Sequence, residues 1–273
     1  MIGHSLAESS IDTPYPVTPD QVAFYRENAW IKLPGVLTPA EIAHFDAVIT
    51  ADVHRLNRET RPMVERDTYA RAFLQVMNLW RSSQEARRLV FSKRIAGVAA
   101  ALLEVDGVRL YHDQALYKEA GGGHTPWHAD QYYWPLATDR TITAWIPLQA
   151  TPFEMGPLEF SAGSHRLTVG RDLAISDESE AAIDRVLRDG TYRHVVEPFE
   201  VGEVSFHAGW LYHRAGPNTT GRPRKVMTMI YMDAAMRLKA PSNPNQQVDW
   251  DTWCPGARLG EVIDTPLNPV LYP

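Results

Sequence analysis

The chain has 273 residues, 33 acidic against 27 basic for a formal net charge of −6, and 44% of its residues are hydrophobic. That is a globular balance with length enough for a large core, and the acidic excess argues against a nucleic-acid partner. Its one cysteine, Cys254, excludes an intrachain disulfide, and no apolar run approaches the roughly 20 residues that span a bilayer.

The opening, MIGHSLAESSIDTPYP, lacks the basic-then-apolar pattern of a secretory signal, so a cytoplasmic protein with no membrane partner is expected. Two helices follow. Thr18 and Thr38 each precede a proline and stand three residues before Gln21 or Glu41, which is the pattern of an N-cap, Pro at the first helical position and a capping box. Ile42, Phe45, Ile49 and Val53 then recur at helical spacing. WIKLPGVL between the two helices reads as a short strand and turn, and SQEARRLVFSKRIAGVAAALLEV as more helix. The arginine-rich run from Arg55 to Arg71 reads as a solvated face, with a CoA phosphate site as the alternative.

From Val108 onward, VRLYHDQALYK, TITAWIPLQA, PLEFSAGS, HVVEPFE, VSFHAGWLYH and RKVMTMIYM are short and β-branched or aromatic, with turn residues between them. They predict a mainly β fold with flanking helices, an all-β sandwich or jelly roll. Ser176 to Gly190, with its Ser cap, early acids and final glycine, reads as an inserted helix, either a lid at the barrel mouth or a solvated surface helix. The tail after Lys239 is rich in Pro and Asn and is expected to wrap the surface. One domain is expected over 1–273: a mostly helical part (1–105), a β core (106–238) and the tail (239–273).

Ten histidines and 33 acids should produce on the order of one His-x-acid pair by chance. The chain has two. His44 and Asp46 lie in the second predicted helix, where residues two apart diverge and cannot share a metal. His128 and Asp130 lie in strand-like surroundings, where residues i and i+2 face the same way. A third ligand would complete the 2-His-1-carboxylate triad that suits Fe(II). Downstream, AGPNTTGRP separates two strand patterns. A hairpin centred between Asn218 and Thr219 would set His213 opposite Arg224, a metal ligand beside a guanidinium able to grip the carboxylate of an iron-bound cosubstrate. His207 is the rival ligand, six residues earlier and beyond the Gly209 turn.

These segments resemble the phytanoyl-CoA dioxygenase family of Fe(II)/2-oxoglutarate oxygenases. The likeness runs through ENAWIKLPGVLTPAEI, HDQALYKEAGGGHTPWHADQYYWPL, ITAWIPLQ, GPLEFSAGSHR and HRAGPNTTGRPRK. It implies a double-stranded β-helix of the cupin type, His128, Asp130 and His213 as iron ligands, and Arg224 as the partner of the distal carboxylate of 2-oxoglutarate. Gln75, Gln114 and Trp145 are implied around that cosubstrate. The family's serine two residues after the distal histidine is replaced by Ala215, so its hydrogen bond is absent or comes from elsewhere. Related halogenases lack the carboxylate ligand; Asp130 is present, which implies hydroxylation of a C–H bond of a small molecule, with O₂ consumed and succinate and CO₂ released. A cupin-type enzyme without 2-oxoglutarate and a non-catalytic binding protein are the alternatives.

If the strand through His128 stays regular, Tyr132 and Trp134 share its metal face, and Tyr132 and Trp210 are expected to line the substrate pocket. Lys118 is expected at the surface, His124 in a loop near the entrance, and His165 in a structural turn. The identity of the substrate and the oligomeric state are not legible in the sequence.

Overall fold

The computed structural model describes residues 11–273, so most of the opening read above for a secretory signal lies outside the described residues. The strands sort into two antiparallel sheets. The larger has the order β1 (Trp30–Leu33), β8 (Val204–Ala208), β5 (Thr141–Pro147), β10 (Arg224–Asp233), β3 (Val108–Lys118), with β2 (Leu74–Met77) and β11 (Val270–Tyr272) both pairing with the long β3. The smaller has the order β4 (Thr125–His128), β9 (His213–Ala215), β6 (Leu158–Ala162), β7 (Arg193–Val196). This is the jelly roll that the strand texture predicts.

Period two explains which residues face the interior. On β5 and β10, Ile142, Ala144, Ile146, Met227 and Met229 join the main core with Ile42, Phe45 and Ile49 of α2 (Pro39–Leu56) and Val98 and Leu102 of α5 (Lys93–Leu103). The alternate residues, Thr143, Trp145, Thr228 and Ile230, line a cavity on the other face. The centre of β5 is therefore buried on both sides. The capping boxes at Thr18 and Thr38 are both formed, opening α1 (Pro19–Asn28) and α2. Among the described residues, no helix is long and apolar enough to cross a membrane.

Three expectations need correction. β9 and β10 do not form a hairpin. His213 pairs with His128 and Phe160 in the small sheet, while Arg224 pairs with Lys118 in the large one. The connecting segment crosses between sheets, fixed by Asn218, whose amide donates to the carbonyls of Lys118, Glu119 and Arg222. The strand through His128 is not regular either. It ends there, and Asp130–Tyr133 form a 3₁₀ turn. The tail does more than wrap: Asn243 caps α7 (Pro244–Trp253), with Pro244 in its first turn.

The inserted helix α6 (Asp177–Asp189) is present and pinned down. Ile183 and Leu187 pack with Trp127 and Tyr212, and Glu180 accepts from the Trp127 amide and from Arg214. Four of the five arginines in the arginine-rich run are exposed, as a solvated face requires, and several are held by partners. Arg61 pairs with Glu59, Arg66 with Glu119, and Arg71 donates to the carbonyls of Met63 and Val64.

Candidate active site

A cavity of about 520 Å³ lies against the inner faces of both sheets. Among its lining residues are His128, Asp130, His213, Gln75, Gln114, Trp145 and Arg224, seven positions the sequence singled out.

Nδ1 of His128 lies 2.7 Å from the Pro126 carbonyl and Nδ1 of His213 lies 3.0 Å from the Leu211 carbonyl. A carbonyl only accepts, so each Nδ1 carries the proton and each Nε2 presents a lone pair. Those two Nε2 atoms stand 3.5 and 3.7 Å from Oδ1 of Asp130, and the three donor atoms lie within 4.8 Å of one another. These separations are too long for hydrogen bonds and suit three donors around one cation. Burial alone would raise the Asp130 carboxyl; the imidazoles of His213, His128 and His207 override it and hold the group well below the usual carboxylate range. Burial, then His128, depresses His213.

His207 is also here. Its Nε2 is 3.5 Å from Oδ2 of Asp130, and neither ring nitrogen has a hydrogen-bond partner. Thr143, its register partner on β5, donates to the same Oδ2 at 3.3 Å. The 3₁₀ turn carrying Asp130 is held by the turn after β8: the Gln131 amide donates to the Gly209 carbonyl. A Cβ on Gly209 would come within 2.4 Å of the Gln131 side-chain oxygen, so glycine is required there.

At the other end of the cavity Arg224 is 2% exposed. It donates to the Gly156 carbonyl, its Nε has no partner, and its guanidinium lies 5.4 Å from the Trp145 ring. Burial lowers its pKa to about 9. A buried guanidinium without a counter-ion is an anion site. Lys118, expected at the surface, is fully buried beside it and donates to the carbonyls of Gly123 and Gly216. Ala215 supplies no hydroxyl; its register partner Thr125 also lines the cavity, and its hydroxyl accepts from Lys118 at 3.4 Å. Gln75 donates to Gln114 at 2.5 Å, across the β2–β3 pairing.

Two expected pocket residues are elsewhere. The 3₁₀ turn rotates Tyr132 out of the cavity: its hydroxyl accepts from Asn245, and its carbonyl from Asn243 and Gln246, so it anchors α7. Tyr133 lines the cavity in its place, beside Trp134, which was expected there. Trp210 lies under the Arg171 guanidinium at 4.3 Å and packs with the α6 cluster. His124 is an exposed loop residue outside the lining, and His165 sits in a 3₁₀ turn. The first His-x-Asp pair is split, His44 to Glu85 and Asp46 to Lys225.

The sequence reading missed His112, Tyr69, Asp249 and Trp253, all in the lining. For the last two a signal existed. Asn243-Pro244 repeats the cap-then-proline start of the first two helices.

The phytanoyl-CoA dioxygenase (PhyH) family matches residues 25–226. Ectoine dioxygenase from Streptomyces avermitilis is 23% identical over 242 residues, 81% of this chain and 80% of that protein. Methylphosphonate hydroxylase from Gimesia maris is 29% identical over 145 residues, 53% of each chain. Among solved structures, the non-heme alpha ketoglutarate dependent carbocyclase SnoK from nogalamycin biosynthesis superposes with a TM-score of 0.77 at 25% identity, covering 94% of this chain and 99% of that one. The epimerase SnoN, solved with Fe3+, alpha ketoglutarate and nogalamycin RO, gives a TM-score of 0.74 at 27% identity, covering 92% and 96%.

Proposed function

Because this chain belongs to the phytanoyl-CoA dioxygenase family, we propose that it is an Fe(II)- and 2-oxoglutarate-dependent oxygenase that hydroxylates a C–H bond of a small organic molecule. One observation carries the reading: a two-histidine, one-carboxylate donor set and an unpaired buried arginine share a single cavity. Nε2 of His128, Nε2 of His213 and a carboxylate oxygen of Asp130 would hold the iron and leave positions free for other ligands. Iron(II) there supplies O₂ activation at the expense of 2-oxoglutarate, which leaves as succinate and CO₂. Arg224 grips the far carboxylate of the cosubstrate, and Trp145 packs beside that guanidinium. The two backbone carbonyls hold both histidines in one tautomer, so neither ring must reorganise to bind metal.

A cupin-type metal enzyme without 2-oxoglutarate has no use for a buried, unpaired arginine, which disfavours that alternative. The test is succinate release from 2-oxoglutarate in the presence of Fe(II) and O₂. Turnover is expected in the unmodified protein and absent in Asp130→Ala. Undiminished turnover in that variant would sink the reading.

A further inference from the structure

We infer that the outer end of this cavity recognises a protonated amine on the substrate, with Asp249 as its counter-charge and the rings of Tyr69, Trp134 and Trp253 as its walls. The inference rests on the oxygenase reading in placing the substrate at that end.

The β3–β10 register orders the cavity. The rungs run from Lys118 opposite Arg224, through Leu116 opposite Val226 and Gln114 opposite Thr228, to His112 opposite Ile230. Beyond His112 lies α7, with the Trp253 ring 5.0 Å from the imidazole. At that point β3 bulges: Ile230 pairs with His112 and Tyr231 with Leu110, leaving Tyr111 unpaired. A bulge re-aims side chains. Two consecutive residues of β3 thereby reach α7. His112 lies against Trp253, and the Tyr111 hydroxyl donates to Oδ2 of Asp249 at 3.0 Å.

The charges then decide the class of ligand. Arg224 is the cavity's arginine and sits at the opposite end; no lysine lines the cavity. With Fe(II), Asp130, Arg224 and doubly charged 2-oxoglutarate in place, the inner charges sum to zero. Asp249 is left uncompensated. Burial pushes its carboxyl up to about 7 against hydrogen bonds from Tyr111 and Trp253, as expected of an acid lacking a counter-ion. His112 is 5% exposed, and its Nδ1 has no hydrogen-bond partner. Burial lowers this imidazole to about 4, so it is neutral near pH 7 and offers a polar contact without repelling a cation. Ring faces attract cations. A carboxylate at that end repels anions, and Arg61, Arg66 and Arg71 of the arginine-rich run are engaged elsewhere and do not line the cavity, which disfavours a CoA thioester or a phosphonate.

The test compares benzylamine with benzyl alcohol, a cation and its neutral counterpart, by calorimetric titration of the anaerobic Fe(II)- and 2-oxoglutarate-loaded protein at about pH 8, where the amine and Asp249 are both ionised. The amine should bind about tenfold more tightly or better, and Asp249→Asn should abolish the difference. Equal binding in the unmodified protein, or a preference that survives in Asp249→Asn, overturns the inference. The comparison in the unmodified protein needs no variant to fold. The visible charge-transfer band of 2-oxoglutarate on Fe(II) is read in parallel. If the band never forms, the oxygenase reading fails, and the same pair of probes titrated into the metal-free protein still decides the inference.

Discussion

Arg224 and Lys118 stand directly opposite one another on neighbouring strands, two buried basic side chains in one rung. Burial, then the neighbouring guanidinium, lowers Lys118 to about 6. Lys118 spends its donors on carbonyls of the loop before β4 and the segment after β9, while the Arg224 Nε remains unpaired. Lys118 holds backbone in place, while Arg224 keeps a donor free for an anion. Arg224→Gln should weaken 2-oxoglutarate binding by about 2–4 kcal/mol, or roughly 30- to 1000-fold. Titration of the charge-transfer band measures it. An unchanged midpoint would remove Arg224 from the cosubstrate site.

His213 and His207, which face different carboxylate oxygens of Asp130, make separable predictions. His213→Ala should lose iron on dialysis, because it deletes a donor aimed by the Leu211 carbonyl. His207→Ala should keep stoichiometric iron, because His207 lies outside the three-donor set and makes no hydrogen bond to Asp130. Iron content per chain decides between them, and the reverse pattern would exchange their roles.

Asn243 holds the start of α7 in two ways: it caps the Gln246 amide and donates to the Tyr132 carbonyl. Asn243→Ala should cost about 1–2 kcal/mol in urea unfolding. It should also weaken the amine preference, since α7 carries Asp249 and Trp253. Tyr132→Phe removes only the contact with Asn245, so about 1 kcal/mol or less is expected, with 2-oxoglutarate binding unchanged. A large effect of Tyr132→Phe on cosubstrate binding would return that ring to the site.

Asp113 is fully buried, and burial raises its carboxyl to about 7 against hydrogen bonds from the Leu79 and Trp80 amides. A raised acid pKa means the folded state holds its proton more tightly than the unfolded chain. This contribution to stability is complete below about pH 4 and is lost as pH rises through about 7, by at most roughly 4 kcal/mol. Asp113→Asn should remove that part of the slope. Urea midpoints at about pH 5 and about pH 8 test it, and an identical slope in the variant would refute the assignment.

The helix starts were legible because a cap is a local event: Thr18, Thr38 and Ser176 satisfy amides within their own first turns. The same signal at Asn243-Pro244 was legible too, but the polar tail around it concealed a helix. His128 and Asp130 were legible as a pair, though for a partly mistaken reason. Regular strand alternation puts Tyr132 and Trp134 on the metal face, whereas the chain turns at Asp130 and brings Tyr133 to the cavity in place of Tyr132, with Trp134 there as expected.

The order of the residues by itself determined the strand texture, the capped helices, the donor types at 128, 130 and 213, and an arginine at 224, since each depends on side-chain chemistry or near-neighbour spacing. Which residues meet is a property of sheet pairing, and only the tertiary structure decided it. His213 and Arg224 share a cavity from opposite sheets, not across a hairpin. His207 reaches Asp130 because β8 pairs with β5. Asp249 comes within reach of Tyr111, 138 residues away, because one unpaired residue in β3 turns that ring toward α7. Such contacts depend on register and on a single bulge, which local propensity does not encode.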